Sequence, residues 1–306
     1  MNTYKGQFFK NRDFYDWGID YEVLKLKEKF LEDINQMRFY RTNFFKNSTF
    51  GTINFNDLIP VQKEIIAILL NNASLEDLNF ILSGNAEELI NKYPWLMKII
   101  ALEKSLEDGN SFFVTVVANE FMKQLYIHNK MCFVNTYTIL DEYLSELIKS
   151  LGMYLDDFLS EANIKVNYKK LLEFEDDTDL KEFFVDSAML SDKNLSGVVN
   201  KAKYLLKYLN AASEFKWNTD IRIFNEERNC VIHNKGYLNG KAIKNIGEEF
   251  ARDLNLSENM KVLINNNKVD SRIDLTENVI DFFSAKLMKT YSDYIEVDLD
   301  EVDDSG

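Results

Sequence analysis

The chain has 306 residues, 46% of them hydrophobic, which is enough to bury a sizeable core in one large domain or two ordinary ones. Its formal net charge of −14 argues against a general nucleic-acid binder, because phosphate binding is driven by Lys and Arg. Only 2 Pro and 11 Gly interrupt the chain, and apolar residues recur at three- and four-residue spacing, which predicts an all-α protein.

The first third of the chain, residues 1–108, is predicted to be a separate helical module of unknown role. An amphipathic pattern predicts one long helix over 21–45, and an irregular connection is expected over 47–58. Shorter helices are predicted over 61–71, 75–82 and 95–106. A turn-forming run, Asp-Gly-Asn-Ser, then marks the module boundary.

The second predicted domain, residues 109–295, is a helical bundle. One long helix or two consecutive ones are expected over 112–151, with a continuation after Gly152. Further helices are predicted over 168–174, 179–184, 200–215 and 219–234. Gly236 is placed to end the last of these by taking a positive φ.

The end of this domain is predicted to contain a β-hairpin and a final helix. Residues 261–264 and 268–270 flank three Asn and predict a small β-hairpin insertion. Asp274 and Glu277 form a start for the final helix that is similar to a capping box. The acidic stretch 296–306 is expected to be a disordered tail.

Several classes of protein are excluded by features that the sequence lacks. No apolar stretch is long enough to span a bilayer, and residues 1–10 lack the apolar core of a signal peptide, so we expect no membrane association. Cys132 and Cys230 lie far apart in helical context, which favours a reducing, cytoplasmic setting. Zinc, P-loop and dinucleotide motifs are absent, so no metal or cofactor is expected. His128 is interpreted as an ordinary residue of a helix surface or helix break.

One window departs from the overall acidity. Between Lys193 and Lys244, ten basic residues stand against four acidic ones, which leaves a local charge of +6. A solvated Lys-rich helical face would give the same balance. The residues that we predict to bind substrate in and beside this charge are Lys216, Arg222, Asn234 and Lys235.

The most informative stretch of the window is Arg228-Asn229-Cys230-Val231-Ile232-His233. On a helix each residue advances about 100°, so Asn229 and His233 share a face, and the long Arg228 side chain can swing back toward it. Val231 and Ile232 point elsewhere and can anchor the helix in the core. We therefore predict that Arg228, Asn229 and His233 are catalytic.

These three groups suit the cleavage of RNA without a metal ion. A 2′-OH attacks the adjacent phosphorus when a base removes its proton and an acid protonates the leaving 5′-oxygen, and an imidazole can serve either step. A guanidinium stabilises the charge on the phosphoryl oxygens, and an amide orients either group. Since one helix offers a single His, a two-fold homodimer would supply the second. In a purely structural alternative, Arg228 pairs with Glu226 or Glu227, and His233 caps the C-terminal end of the helix by interacting favourably with the macrodipole.

The stretch from Arg228 to Asn239 resembles the signature of the HEPN superfamily. In that family four to six residues lie between an Arg, commonly followed by a polar residue, and a His, and many prokaryotic members continue with Asn, any residue and Gly. The helix over 133–151, with Asp141 and Glu142, is similar to the family helix that carries an acidic residue beside the motif helix. The resemblance covers about residues 110–295.

The resemblance implies a HEPN-like helical bundle that is often dimeric and acts as a metal-independent endoribonuclease. Such proteins are frequent in toxin–antitoxin, antiphage and CRISPR-associated systems, so the expected partners are RNA, a second copy of the chain and an antitoxin or other defence protein. By motif position, His233 and Arg228 would be catalytic and Asn229 a supporting polar group. Residues 1–108 match nothing in this pattern.

Two other functions stay open at the level of sequence. The overall acidity and the unexplained residues 1–108 favour a non-catalytic HEPN-like interaction or sensor module. A third alternative is an acidic surface that mimics nucleic acid and blocks a basic partner.

Overall fold

A computed structural model gives the fold of the chain. It describes residues 18–47, 49–50, 53–54, 60–72, 91–103, 111–155, 158–160, 162, 164, 168–171, 174 and 177–300. These residues are predominantly helical, which confirms the predicted all-α class. None of the helices in this part of the chain is long and apolar enough to cross a membrane.

The first elements are helices with one small strand pair. They are α1 (Ile19–Asn47), β1 (Thr49–Phe50), β2 (Ile53–Asn54), α2 (Pro60–Asn72) and α3 (Leu96–Glu103). The two strands pair antiparallel inside the predicted irregular connection. The helix predicted over 75–82 lies outside the described residues.

The later elements are also helices, joined by short connections. They are α4 (Ser111–Tyr154), α5 (Tyr168–Leu171), α6 (Asp177–Ser191), α7 (Gly197–Tyr208), α8 (Asn218–His233), α9 (Gly240–Ile246), α10 (Glu248–Asp253) and α11 (Asn266–Asp300), with a 3₁₀ turn at Lys193–Leu195 before α7. α4 is one continuous helix that passes through Gly152. The predicted helix over 219–234 is confirmed by α8 to within one residue at each end.

The chain divides into two compact units that do not coincide with the predicted modules 1–108 and 109–295. The first unit comprises the described residues of 1–33, 139–221 and 277–306, and the second those of 34–138 and 222–276. Contacts far apart in sequence explain the difference, since Phe30 of α1 packs edge-on against Tyr143 of α4 with ring centroids 5.6 Å apart.

The first unit is built around the buried ring of Tyr143. Its hydroxyl donates to the carbonyl oxygen of Ile280 at 3.1 Å and lies 2.8 Å from the hydroxyl of Ser284. Lys201 is also buried, and its Nζ contacts Asp141 Oδ1 at 2.7 Å. One of the lysines counted in the basic window is therefore neutralised inside this unit.

The predicted β-hairpin over 261–270 is wrong. Lys261 forms only an isolated bridge with Tyr237, while α11 already begins at Asn266, two turns before Asp274. The side-chain Oδ1 of Asn265 accepts a hydrogen bond from the backbone N–H of Lys268 at 2.8 Å. The Asn run therefore caps a helix, a position that Asn favours, instead of joining two strands.

The predicted disordered tail is wrong over part of its length. α11 continues to Asp300, so residues 296–300 are helical. No Pro or Gly interrupts the chain between 266 and 300, and a helix that is already formed propagates at low cost. Residues 301–306 lie outside the described part of the chain.

Candidate active site on helix α8

Helix α8 is held in the second unit by its apolar side. Phe224 is fully buried and packs edge-on against Phe133 of α4, with ring centroids 5.0 Å apart. Ile223 packs in a small core cluster with Ile246 and Ala251. The remaining sides of α8 are left to carry polar groups.

Only one of the two predicted apolar anchors is buried. Val231 is buried as expected, but Ile232 is 40% exposed. The two residues lie about 100° apart on the helix, so they do not face the same surroundings. Ile232 therefore lies on the open side of α8, beside His233.

The guanidinium of Arg228 lies over the aromatic ring of Tyr137. Its Cζ is 5.0 Å from the ring centroid, and its Nη1 donates to Asn229 Oδ1 at 3.2 Å. The Nε of Arg228 is buried and has no hydrogen-bond partner. Among the described residues, no carboxylate forms an ion pair with Arg228.

The two carboxylates that precede Arg228 are both engaged elsewhere. Glu227 is buried and contacts Arg272 Nη2 at 2.8 Å and Lys268 Nζ at 2.5 Å. Glu226 Oε1 accepts hydrogen bonds from the side-chain amides of Asn225 at 2.9 Å and Asn245 at 3.1 Å. The pairing of Arg228 with Glu226 or Glu227, considered in the structural alternative, does not occur.

Tyr137 also fixes α8 through its hydroxyl group. It is buried, and its hydroxyl donates to Asn225 Oδ1 at 2.6 Å. Neither Tyr137 nor Asn225 was expected at the site, and no local signal marks them. The contact joins residues 88 positions apart, so it depends on how α4 and α8 pack.

His233 is the last residue of α8, and its side chain is exposed. It forms no hydrogen bond or ion pair with the described residues. Asn229, one turn earlier, is half-buried. On the predicted shared face, Asn229 is therefore partly covered and the imidazole of His233 is accessible to solvent.

The chain reverses direction directly after His233. Gly236 takes a φ of +88° and its N–H donates to the carbonyl oxygen of Cys230 at 2.9 Å, which confirms the predicted role of this glycine. Lys235 also has a positive φ, +53°. The side-chain amide of Asn234 donates to the carbonyl oxygen of Tyr237, so this predicted substrate ligand closes the turn.

The other predicted substrate ligands are distributed over both units. Lys235 is exposed, and Arg222 is half-buried with an Nε that has no partner. Lys216 belongs to the first unit, where its Nζ lies 4.9 Å from the centroid of the Trp217 ring. Asp141, on the helix predicted to supply an acidic residue, also lies in the first unit and pairs with Lys201.

His128 is a buried residue, so its interpretation as a surface or helix-break residue is wrong. It is 4% exposed within α4, its ring centroid is 5.0 Å from that of Tyr40, and its Nε2 is 3.6 Å from Cys132 Sγ. Burial, aided by the charge of Arg41, lowers the pKa of His128 to about 4, and burial raises the pKa of Cys132 to about 11. Near neutral pH both groups are therefore uncharged.

Comparisons with protein-family models, with curated proteins and with solved structures find nothing that matches this chain. Within the described residues, His, Cys, Asp and Glu side chains form no cluster of three or more that could hold a metal ion.

Proposed function

We propose that the chain is a HEPN-like, metal-independent endoribonuclease, acting in antiphage defence or in a toxin system. The observation that carries the proposal is the state of Arg228, whose guanidinium rests on Tyr137 without a carboxylate partner. The same helix ends, one turn and a half later, in the exposed imidazole of His233. One helix therefore carries both a cation, Arg228, and a proton-transfer group, His233, that can act on an anionic substrate.

The proposed reaction is a transesterification that releases a 5′-hydroxyl end. A base removes the 2′-OH proton, the 2′-oxygen forms a bond to phosphorus, and the bond to the leaving 5′-oxygen breaks as an acid protonates that oxygen. His233 supplies one of these proton transfers. Arg228 donates to the non-bridging oxygens, which gain charge in the transition state, and Asn229 orients the guanidinium.

The second proton-transfer group comes from a second copy of the chain in this proposal. One chain presents a single exposed His at this helix end, since His128 is buried and uncharged near neutral pH. A two-fold arrangement of α8 helices would supply one imidazole as base and the other as acid. The composite site would also double the local positive charge that meets the phosphodiester.

The test is cleavage of RNA by the purified protein in the presence of EDTA. Wild-type protein is expected to leave 2′,3′-cyclic phosphate ends, detectable by mass spectrometry of the products. His233→Ala should reduce the rate by at least about a hundredfold, the usual contribution of a general acid or base. Lys241→Ala, another exposed position of the second unit, serves as the matched control and should keep wild-type activity.

Because His233 is exposed, its replacement is expected to leave the thermal midpoint unchanged within about one degree. Continued cleavage by folded His233→Ala protein, with the same cyclic ends, would exclude the proposed role of this residue. Loss of cleavage in the Lys241→Ala control would show that the assay reports general surface charge instead.

An alternative function, a non-catalytic interaction or sensor module, is favoured by a different observation. Near the Tyr40–His128 contact, α1 and α4 expose large apolar side chains: Phe39 is 72% exposed, Ile127 58% and Met131 55%. Exposed apolar groups of this size are typical of surfaces that bind another protein. This alternative predicts no RNA cleavage and a stable complex that Met131→Asp disrupts, measured by co-purification from the native host.

A further inference from the structure

A cavity of about 380 Å³ lies in the second unit, on the side of α8 that carries Glu227. Three segments form its walls: the residue Leu238 after α8, the stretch over 256–263, and the first turns of α11. Backbone hydrogen bonds hold two of these segments together: the Leu238 N–H donates to the carbonyl oxygen of Met260 at 2.8 Å, and the Leu238 carbonyl oxygen accepts from the Asn259 N–H at 2.8 Å. The cavity is therefore formed before any ligand enters.

The lining of the cavity carries a surplus of positive charge. Glu227 faces two cations, Lys268 and Arg272, so this triad has a net charge of +1. Lys261 also lines the cavity. Arg272 is 6% exposed and its guanidinium lies 5.5 Å from the centroid of the Phe224 ring, so its position is set by packing.

Apolar side chains also line the cavity. They are those of Leu238, Leu256, Met260, Val262 and Leu263. Leu238 and Val262 are buried, which gives a rigid base, while Met260 is 41% exposed and can adapt to a flat group. A ligand that fills this space needs an anionic end and an apolar, preferably planar, body.

We propose that this cavity binds a nucleoside monophosphate. A phosphate group is complementary to the positive charge of the triad, accepts hydrogen bonds from Lys268, Lys261 and the Ser271 hydroxyl, and leaves the base against the Leu and Met side chains. The volume lies within the range of about 300–1,000 Å³ that is usual for small-molecule sites. The site is separate from the proposed cleavage site, because none of Arg228, Asn229 and His233 lines it.

The ligand can be a free nucleotide or the phosphorylated end of a polynucleotide, because both present the same phosphate and base. Calorimetric titration of the full chain with AMP tests the shared chemistry, with adenosine and inorganic phosphate as partial ligands. We expect one AMP per chain, and binding of adenosine or phosphate that is at least about tenfold weaker. A 5′-phosphorylated tetra-adenylate that binds as tightly as AMP assigns the site to a strand end, whereas a much weaker one assigns it to the free nucleotide.

Two variants test whether AMP occupies this cavity. Ser271→Asp adds a negative charge at the exposed rim without removing a described contact, and Lys261→Gln removes a cation. Each is expected to weaken AMP binding by about tenfold, the usual effect of one charge-assisted contact. Ser213→Asp, an exposed serine of the first unit, is the matched control and should bind AMP like wild type.

The proposal is overturned if AMP does not bind, or if AMP binding is unchanged in both Ser271→Asp and Lys261→Gln. Equal binding of adenosine and AMP would also overturn it, because the phosphate would then contribute nothing. None of these outcomes depends on RNA cleavage, so the proposed nuclease activity can fail while nucleotide binding holds, and the reverse.

Discussion

The surroundings of Arg228 differ from those of Arg272 and Arg41, two buried arginines of the second unit. Arg272 has a carboxylate partner in Glu227, and Arg41 has one in Asp270, whereas Arg228 has an aromatic ring and an amide. A cation over a ring is stabilised by about 0.5–2 kcal/mol, and its N–H donors remain available. The guanidinium of Arg228 is therefore a permanent positive charge that an external anion can bind.

Tyr137 is expected to position Arg228 through its ring more than through its hydroxyl. Tyr137→Phe keeps the ring and loses the hydrogen bond to Asn225, so cleavage should fall less than about fivefold. Tyr137→Leu removes the ring under the guanidinium, and a drop of about ten- to a hundredfold in kcat is expected. Steady-state cleavage kinetics of both variants measure the difference, and equal activity of the two would show that the ring has no such role.

The buried His128 is expected to make the fold sensitive to acid. Its pKa is about 4 in the folded chain and about 6.5 in an unfolded one, so only the unfolded chain gains a proton between these values. The contribution of His128 to the free energy of unfolding is therefore fully present above pH 6.5. It is lost as the pH falls toward 4, by roughly 3 kcal/mol in total.

Urea unfolding at pH 7 and pH 4.5 measures this loss. His128→Leu should show a smaller decrease than wild type over this interval, whatever its stability at pH 7. His233→Ala removes the other His and should retain the wild-type decrease, because His128 is still present. An equal decrease in the free energy of unfolding for His128→Leu and wild type would mean that other groups cause the acid sensitivity.

At the scale of helices and strands, periodic apolar spacing predicts the positions of long helices. α1 and α8 lie where their patterns predict them, because a buried stripe on one side of a helix leaves a clear 3.6-residue repeat. The Asn run before α11 does not form the predicted hairpin. Asn is common both in hairpin turns and at helix N-caps. Only the contact of Asn265 with the Lys268 N–H distinguishes the two.

The N-cap of α11 can be tested by a single substitution. Asn265→Ala removes the side-chain acceptor for the Lys268 N–H and should lower the free energy of unfolding by about 1 kcal/mol. Asn267→Ala, an exposed neighbour without a capping hydrogen bond, is the control and should change it by less than about 0.5 kcal/mol. Urea unfolding monitored by circular dichroism measures both, and equal effects would argue against the cap.

The candidate site could be predicted only as far as it lies within one helix. The shared face of Asn229 and His233 follows from helical geometry alone. The support of Arg228 by Tyr137, the engagement of Glu226 by Asn245 and the burial of His128 all depend on packing between segments that are distant in sequence. Residue spacing contains no information on such contacts.

At the scale of the whole molecule, the proposed cleavage site requires two chains. Wild-type protein mixed with an equal amount of His233→Ala and allowed to re-pair should then retain roughly a quarter of the activity, since random pairing leaves that share of wild-type dimers. A monomeric site would retain half. RNA cleavage rates across a mixing series distinguish the two curves, and a linear series would exclude the composite site.

The first long helix serves both units of the molecule. Val23 and Phe30 of α1 are buried in the first unit, whereas Ile34 is buried and Arg41 pairs with Asp270 in the second. Removing residues 1–108 as if they were an accessory module would strip apolar partners from Tyr143 and an arginine from Asp270 at the same time. A truncated protein that begins after residue 108 would thus be destabilised in both units. Its inactivity would give no information on the location of the active site.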